Sequence, residues 1–401
     1  MAKKFSLSDE SSKNSLLKRR IIQYLIISGE SSIADISKEI DMSVPTTTKL
    51  LVELLDDGFV VDSGKQNTNG GRRPNIYGIN PGSGYFVGVD VHRQQVMLAA
   101  IDLNGKMIDD QSNVPYDLQN TAASLEELCN IINTYINSLP VEKEKILRVG
   151  INLTGRISTS TGYSHSYFCF DERPLSQLIE DSIGISVTLE NDSRAMAYGE
   201  YMAGVVKGEK NVIFINVNWG LGTGLILDGK LYYGKSGYSG EFGHISAFDN
   251  EVICGCGKKG CLETEASGYA MQRIVKERFD QGSTTILSNI IKSKGNVSLA
   301  DFVDAVLKED VLAIETVEHI GLSLGRWLAG LINIFNPELV VVGGPLSLTQ
   351  DYIRLPIKSA MKKYSLNLVN QDTDLVISKL GDKAGLIGAC LLSRSKMLGL
   401  L

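Results

Sequence analysis

The chain has 401 residues, enough for two or three domains, and its 43% hydrophobic and 21% charged residues are ordinary for a globular protein. The longest apolar run, from Trp327 to Phe335, is interrupted by Asn333 and is too short to span a membrane; the polar start from Met1 to Lys13 lacks a signal-peptide core. We therefore expect a cytoplasmic protein with no membrane partner.

The net charge of −6 disfavours nucleic acid as a partner of the chain as a whole, but the charge is unevenly distributed. Residues 1–80 hold 11 Lys and Arg against 10 Asp and Glu, a net of +1, and the remainder holds 29 against 36, a net of −7. A near-neutral N-terminal module with local basic clusters is therefore compatible with DNA binding.

Apolar residues at helical spacing predict helices near the N-terminus. The run from Leu17 to Leu25 predicts a first helix that ends near Gly29. Ser32 and Asp35 then form a capping box for a second helix.

A third helix is the candidate recognition helix of a helix-turn-helix, because short polar side chains occupy its N-terminal half. Ser43 caps it, and Pro45 is tolerated in its first turn. The residues expected to face the core are Val44, Leu51, Leu54 and Leu55. The residues expected to contact DNA from this element are Ser43, Thr46, Thr47 and Lys49.

Two short strands around a polar loop predict a wing after this helix. The strands are expected at 59–61 and 76–79. The loop ends in Gly70-Gly71-Arg72-Arg73-Pro74, and Arg72 and Arg73 are expected in a narrow A·T-rich minor groove or along phosphates. The alternative is a protein-interaction module with solvated arginines. The agreement of helix spacing, wing and cation placement favours DNA binding.

From Tyr85 onward strands alternate with helices, which is typical of α/β architecture. Two stretches are alike, because residues 85–108 and 211–234 each predict three strands, with hairpin turns at Asn104-Gly105 and Asp228-Gly229. The repeat predicts a duplicated β-β-β-α lobe, and two facing lobes would leave a cleft for a ligand.

Three of the six cysteines are clustered. Cys254, Cys256 and Cys261 lie within eight residues, and His244 lies ten residues before the first of them. Without a secretory signal, such a cluster is better explained by metal ligands than by disulfides. Three thiolates and one imidazole form a closed tetrahedral set for structural zinc, and the alternative is reduced cysteines in a glycine-rich loop.

The body from about residue 82 to the C-terminus resembles the ROK family (repressors, open reading frames and kinases) of the actin-like ATPase superfamily. The resemblance rests on G-E-F-G-H at 240–244 and C-G-C-G-K-K-G-C-L-E at 254–263, which match the family patterns G-E-x-G-H and C-x-C-G-x-x-G-C-x-E. With the helix-turn-helix in front, the chain resembles the repressor branch. The implied α/β fold is a winged helix-turn-helix over 1–81 and a duplicated, actin-like, two-lobed sugar-kinase-like body. Its lobes are expected at 82–195 and 196–401, and the C-terminal helix can return to the first lobe.

The resemblance also implies a sugar site. Glu190-Asn191-Asp192 resembles the family motif E-N-D, in which Asn and Asp bind sugar hydroxyls and the Asp serves the kinases as general base. The residues that match the family's sugar contacts are Gly155, Arg156, Asn191, Asp192, Glu241, His244 and Glu263. Carboxylates and an amide suit a ring of hydroxyls, but each residue also has a structural alternative, such as helix capping by Asp192. His244 could ligate zinc with one nitrogen and meet a hydroxyl with the other.

The family's phosphate-binding loops differ in this chain. At the first hairpin, where the kinases carry D-x-G-G-T, the chain has Asp90-Val91-His92-Arg93-Gln94. At the second hairpin, Trp219 stands where a small phosphate-contacting residue is expected. A third motif, Gly343-Gly344, resembles the family's adenosine-side motif, but Pro345 follows where that motif has a glycine. Bulky side chains occupy space that ATP phosphates need, so we expect a sensor and not an enzyme. Residual kinase activity supported by Arg93 is the alternative.

Together these patterns predict a DNA-binding transcriptional regulator that represses genes of carbohydrate metabolism. Its predicted effector is a monosaccharide or a sugar derivative. The resemblance and the helix-turn-helix both imply a homodimer or higher homo-oligomer on a palindromic operator. A DNA-binding sugar kinase and a ligand-independent DNA-binding scaffold are the other hypotheses.

Overall fold

The protein is described here by a computed structural model that covers residues 12–65 and 74–401. The chain divides into two compact units. The first contains the described residues up to Ile151, together with Tyr167–Leu189 and Ala389–Leu401. The second contains Asn152–Ser166 and Glu190–Gly388.

The N-terminal module begins the first unit with helices and a small three-stranded sheet. Its elements are α1 (Lys13–Ser28), β1 (Ser31–Ser32), α2 (Ile33–Glu39), α3 (Val44–Asp56), β2 (Val60–Lys65) and β3 (Asn75–Ile79). The strand order is β1-β3-β2, with antiparallel pairing throughout. Gly29 ends α1 with φ of +75°, and the side chains of Ser32 and Ser43 cap α2 and α3 as the sequence predicts.

A five-stranded sheet follows. Its strands and the neighbouring elements are β4 (Tyr85–Val91), β5 (Gln95–Asp102), β6 (Met107–Pro115), α4 (Ala122–Ser138), β7 (Ile146–Leu153), β8 (Ile157–Ser158), β9 (Tyr163–Ser164), α5 (Leu175–Ile183), β10 (Val187–Asn191) and α6 (Asp192–Ala203). The order in the sheet is β10-β7-β4-β5-β6, and β8 pairs with β9 in a separate hairpin.

A second five-stranded sheet lies in the second unit. The strands and the other elements of this part of the chain are β11 (Val212–Val217), β12 (Leu221–Leu227), β13 (Lys230–Leu231), α7 (Gly268–Asp280), α8 (Ser288–Lys294), α9 (Leu299–Leu307), α10 (Val311–Phe335), β14 (Leu339–Gly343), α11 (Asp351–Tyr364), α12 (Asn367–Asp372), β15 (Asp374–Ile377) and α13 (Ala384–Leu398). The residues of α13 up to Gly388 belong to the second unit, and those from Ala389 belong to the first. The order is β13-β12-β11-β14-β15.

The predicted duplication is confirmed by these two strand orders. In each sheet the first three strands form an antiparallel meander, and two later strands join on the side of the first strand. The Asp228-Gly229 turn has φ of +51° and +77°, the left-handed pair that a two-residue hairpin requires. The mixed α/β fold with a repeated lobe is therefore present as predicted.

The helix α10, which contains the apolar run from Trp327 to Phe335, belongs mainly to the core. Ile320, Leu324 and Leu328 of α10 are fully buried, while Ile334 near its end is exposed. Among the described residues, no helix is both long enough and apolar enough to cross a membrane.

Candidate functional site

Four side chains with metal-binding atoms converge in the second unit. His244, Cys254, Cys256 and Cys261 offer ligand atoms that all lie within 4.8 Å of one another. The sulfurs of Cys256 and Cys261 are 3.7 Å apart, and Cys254 Sγ lies 3.5 Å from His244 Nδ1. Tetrahedral zinc, with bonds of about 2.3 Å to sulfur and 2.0 Å to nitrogen, would hold two sulfurs about 3.8 Å apart and a sulfur and a nitrogen about 3.5 Å apart. The cluster therefore has the dimensions of a site for one metal ion.

The loop that carries the cysteines is held by backbone contacts. Isolated antiparallel bridges join Ile253 to Lys259 and Ser246 to Cys261. Gly260 has φ of +68°, and a β-carbon there would overlap the Phe248 carbonyl oxygen. A side chain at this position would push the loop open, so glycine is required where the chain returns to present Cys261.

Two of the thiols need a cation to become ligands. Burial raises the pKa of the Cys254 and Cys261 thiols, so both are neutral without a nearby positive charge. A bound metal ion would supply that charge and hold them as thiolates. The Cys254 sulfur also lies 3.4 Å from Glu263 Oε1, a contact suited to a protonated thiol donating to a carboxylate.

The other nitrogen of His244 points away from the sulfurs. Its Nε2 lies 3.7 Å from Glu241 Oε2, and both side chains are partly exposed. Nδ1 faces the Cys254 sulfur and Nε2 faces Glu241, so the two ring nitrogens have different neighbours; a role shared between metal and sugar stays a prediction.

A second group of predicted residues lies at the N-terminus of α6. Asn191 caps this helix by accepting from the Arg194 amide at 3.1 Å, and its Nδ2 donates to the Gly155 carbonyl at 3.0 Å. The Asp192 carboxylate accepts from Asn191 Nδ2 and from the Ser193 amide. Arg156 is exposed beside this group. The structure thus brings Gly155, Asn191 and Asp192 into direct contact.

A buried ion pair beneath this group was missed from the sequence. Arg194 Nε donates to Glu190 Oε1 at 2.7 Å, and both side chains are almost fully buried. The guanidinium also donates to the carbonyls of Gly237 and Ile157, at 2.7 and 3.2 Å. Three segments of the site are therefore held by one cation, and removing one partner of such a buried pair costs about 3–5 kcal/mol.

Tyr233 completes the surroundings of Glu190. Its hydroxyl donates to Glu190 Oε2 at 2.9 Å, and Thr159 Oγ1 donates to Oε1 at 3.1 Å. Burial raises the pKa of Tyr233, so the hydroxyl stays protonated and remains a donor. The Glu190–Arg194 spacing of four residues is the sequence signal for this network, and the same spacing also pairs charges on exposed helix surfaces.

The start of β12 lies next to two groups of residues, those at the N-terminus of α6 and those of the turn that carries His244. A β-carbon on Gly222 would overlap Ser193 Oγ, and one on Gly243 would overlap the Leu221 carbonyl oxygen. The helix α6 and the turn that carries His244 therefore contact the same strand. All seven predicted sugar-site residues lie in the second unit.

Glu263 has contacts that the sequence did not predict. Its Oε2 accepts from the Leu221 amide at 2.9 Å, while Oε1 faces the Cys254 sulfur. The carboxylate thus links the cysteine cluster to the turn before β12.

The same turn is closed by the protein's own acceptors. The Trp219 amide donates to Asn218 Oδ1 at 2.7 Å. The first amides of α7, from Gly268 and Tyr269, donate to the Asn218 and Trp219 carbonyls at 2.8 and 3.0 Å. Amides at a helix start are the groups that bind phosphate in many proteins, and here they are engaged.

The hairpin between β4 and β5 is closed in a similar way. His92 Nε2 lies 3.1 Å from Asp90 Oδ2, and the Asp90 side chain is 5% exposed. The His92 amide donates to the Gln95 carbonyl at 2.9 Å. The turn therefore carries an imidazole against the buried carboxylate.

The outer face of α3 differs in part from the prediction. Ser43 and Lys49 are exposed and Thr46 is half-buried, whereas Thr47 is fully buried and donates to the Ser43 carbonyl at 3.2 Å. The prediction that Thr47 points outward was wrong.

The phase of the buried stripe explains this error. Inward positions on α3 are Thr47, Leu50, Leu51 and Leu54, spaced by three and four residues, so Thr47 begins the stripe. Val44, which was expected in the core, precedes the stripe and is 52% exposed. Arg72 and Arg73, the predicted wing cations, lie outside the described residues.

Comparisons with known proteins agree with this architecture. The family model described as ROK family matches residues 86–396. A xylose repressor of Caldicellulosiruptor bescii is 26% identical over 90% of this chain and 91% of its own length. A glucokinase of Streptomyces coelicolor is 32% identical and covers 78% of this chain and 98% of its own length.

A solved structure extends the match over nearly the full chain. A crystal structure of a ROK family transcriptional regulator, homologous to the E. coli Mlc protein, superimposes with a TM-score of 0.80 at 26% identity. The match covers 96% of this chain and 97% of that one. With the cysteine cluster, the repeated sheets and the family match in agreement, the chain belongs to the ROK family.

Proposed function

We propose that the protein is a transcriptional repressor of carbohydrate genes, and that a sugar or sugar derivative changes its binding to operator DNA. The observation that carries this proposal is the extent of the matches. The xylose repressor and the Mlc homologue match at least 90% of the chain, whereas the glucokinase matches 78%. The N-terminal module, with its capped α3 and two-stranded wing, supplies the DNA-binding part.

The sugar site is assigned to Gly155, Arg156, Asn191, Asp192, Glu241, His244 and Glu263. Asp192 and Glu241 offer carboxylate acceptors, and Arg156 and His244 Nε2 offer donors, which is the mixture that sugar hydroxyls require. Glu263 accepts a hydrogen bond from the Leu221 amide, so it positions the turn before β12 in addition to contacting the sugar.

The metal is assigned as structural zinc held by His244, Cys254, Cys256 and Cys261. Four protein ligands leave no open position for water, so the ion would supply rigidity and no reactive group. It would fix the His244 ring with Nε2 directed outward, next to Glu241.

We assign no phosphoryl transfer to this protein. In the turn at 218–221 the amides of Trp219 and Leu221 already have acceptors, Asn218 Oδ1 and Glu263 Oε2. In the first hairpin His92 faces Asp90 at 3.1 Å. ATP phosphates need free backbone amides and a metal-binding carboxylate, whereas here the Trp219 and Leu221 amides and the Asp90 carboxylate are engaged within the protein.

DNA contacts are assigned to Ser43, Thr46 and Lys49 on α3 and to Arg72 and Arg73 of the wing. Two copies of the chain would place two recognition helices on a palindromic operator, with A·T-rich sequence where the wing enters the minor groove. A homodimer or a higher homo-oligomer is therefore part of the proposal.

Fluorescence anisotropy of labelled upstream fragments, titrated with the protein at fixed salt, tests the proposal. We expect specific binding that one of a panel of free and phosphorylated monosaccharides weakens or strengthens by at least tenfold. A fragment bound equally well with every sugar would contradict the sensor. No binding to any upstream fragment would contradict the repressor.

The retained Asp192 and the glucokinase match favour a second candidate, a sugar kinase with a fused DNA-binding module. A coupled assay of ADP production with ATP and the same sugars separates the two. Sugar-dependent ADP release that disappears in the Asp192→Asn variant would establish the kinase. If the wild type releases no ADP even at high protein concentration, the sugar-sensing repressor is the function that remains.

A further inference from the structure

The C-terminal end of α13 is capped by the DNA-binding module. An α-helix leaves its last four carbonyl groups without partners inside the helix. In α13 the first two of these are taken by the chain itself, because the Leu400 amide donates to Ser395 and the Gly399 amide donates to Lys396, at 2.9 and 3.4 Å. Gly399, with φ of +66°, makes this turn possible.

The last two carbonyls of α13 are taken by side chains of α1. Arg19 donates to the Met397 carbonyl and Gln23 donates to the Leu398 carbonyl, with a second contact to Gly399 at 3.3 Å. The negative end of the helix dipole also favours the Arg19 cation at this place. Leu398 is fully buried, so the end of the helix is packed as well as capped.

On the same helix, Lys18 faces the candidate recognition helix. Its Nζ lies 3.1 Å from Glu53 Oε2 and from Asp57 Oδ2, both at the end of α3. The Lys18 side chain is 9% exposed. One helix, α1, thus touches the end of α13 through Arg19 and Gln23 and the end of α3 through Lys18.

The other end of α13 touches the helix that starts at Asn191 and Asp192. In the second unit, a β-carbon on Gly199 of α6 would overlap the Ala384 carbonyl oxygen, and one on Gly388 would overlap the Ala195 carbonyl oxygen. Glu200 of α6, 1% exposed, accepts from Ser378 Oγ and from the Leu380 amide, just before α13 begins. Backbones packed this closely cannot slide without disturbing each other.

We infer that α13 couples sugar binding at the site to the orientation of the DNA-binding module. Arg19 and Gln23, which hold the end of α13, are the positioning residues of this coupling. This inference rests on the proposed function. A module restrained through α1 presents α3 to DNA in one orientation and loses less entropy on binding than a released one. Sugar contacts at Asp192 act on α6, whose close packing with α13 passes a change in α6 to the capped end.

The test uses the full chain with Arg19→Ala and Gln23→Ala combined, and Arg20→Ala as the matched control. Arg20 is an exposed neighbour on the same helix, and its contact is with the Glu39 carbonyl at 3.5 Å, not with α13. Hydrogen exchange at residues 395–401 measures the cap without DNA or sugar. We expect faster exchange in the double variant and wild-type exchange in the control.

Anisotropy on the fragment selected above then measures the consequence. We expect the double variant to bind operator about tenfold more weakly, since restraint of the module is lost, and its affinity to change less than the wild type's when sugar is added. Sugar affinity, followed by calorimetry with D-xylose and D-glucose as first probes, should stay unchanged.

Two results would overturn the inference. Wild-type exchange at 395–401 in the double variant would show that the cap is not formed. Faster exchange with unchanged operator affinity and an unchanged sugar response would show that the cap does not couple the sugar site to DNA binding. If the wild type binds no operator, the proposed function fails by itself, and the exchange data still decide whether the cap exists.

Discussion

Thr47 and Lys49 are near neighbours on α3 that point in opposite directions. Thr47 is fully buried with its hydroxyl bonded to the Ser43 carbonyl, whereas Lys49 is exposed. A contact to DNA requires exposure, so only Lys49 can reach a phosphate or base edge. The lesson is that a polar side chain in a predicted recognition helix is a DNA contact only when the phase of the buried stripe leaves it outside.

Lys49→Ala should therefore weaken operator binding, while Thr47→Val should not. Losing one cation per copy should lower affinity by about tenfold at moderate salt. Thr47→Val keeps the side-chain volume and removes a hydroxyl whose acceptor is local, so we expect a stability change within about 1 kcal/mol. Anisotropy and urea unfolding measure the two effects. A Thr47→Val variant that is folded and fails to bind DNA would place Thr47 in the interface after all.

Cysteine identity at the metal cluster leads to a second prediction. A serine oxygen is a poor zinc ligand, so Cys256→Ser should lose the ion or bind it much more weakly. Without the ion, His244 is no longer fixed and sugar affinity should fall as well. The melting temperature should drop by about 5 °C or more, since each kcal/mol corresponds to about 2–4 °C in a domain of this size.

Elemental analysis and calorimetry on purified protein measure the metal content and the sugar affinity. Cys169→Ser is the matched control, because Cys169 is exposed and stands outside the cluster. One zinc per chain with unchanged sugar binding in Cys256→Ser would refute the structural role of the metal.

Helix pairs depend on glycine where backbones touch. Gly388 of α13 lies against Ala195 of α6, and a β-carbon would overlap the Ala195 carbonyl, whereas Gly330 of α10 has open space around its Cα. Both glycines lie inside helices, so alanine gains about 0.5–1 kcal/mol of helix propensity at each. Only at Gly388 is this gain opposed by a clash.

Gly388→Ala should accordingly destabilise the protein by about 1–3 kcal/mol, the usual cost of overpacking, and Gly330→Ala should be neutral or stabilising. Urea unfolding with both variants and the wild type measures the difference. Equal stability of the two variants would mean that α6 and α13 separate easily, which would also remove the support for transmission between them.

Elements with local signals were predicted well and elements with distant partners were not. The Asp228-Gly229 turn and the Ser32 and Ser43 caps are fixed by residues within a few positions, so the sequence alone predicts them. The burial of Arg194 depends on the carbonyls of Ile157 and Gly237, which lie 37 and 43 residues away along the chain. The His244, Cys254, Cys256 and Cys261 cluster was predicted because its spacing belongs to one short stretch of chain, whereas the contact of Glu263 with Leu221 joins two loops.

The number of cations that the N-terminal module offers to phosphates determines how DNA binding should respond to salt. With a net charge of −6, the chain is repelled by DNA at long range, and attraction must come from a few cations of the N-terminal module. Lys49, Arg72 and Arg73 in each of two copies would neutralise about six phosphates, and such a footprint loses about 10³-fold in affinity between 50 and 200 mM salt.

The Arg72→Ala and Arg73→Ala double variant should reduce this dependence. Removing two of three cations per copy should lower the slope of log affinity against log salt by about two thirds, while sugar affinity stays the same. Lys308→Ala, which removes an exposed lysine paired with Asp304 on α9, is the matched control for a change of charge. An unchanged slope in the double variant would mean that the wing does not touch phosphates, and the DNA contacts would then rest on α3 alone.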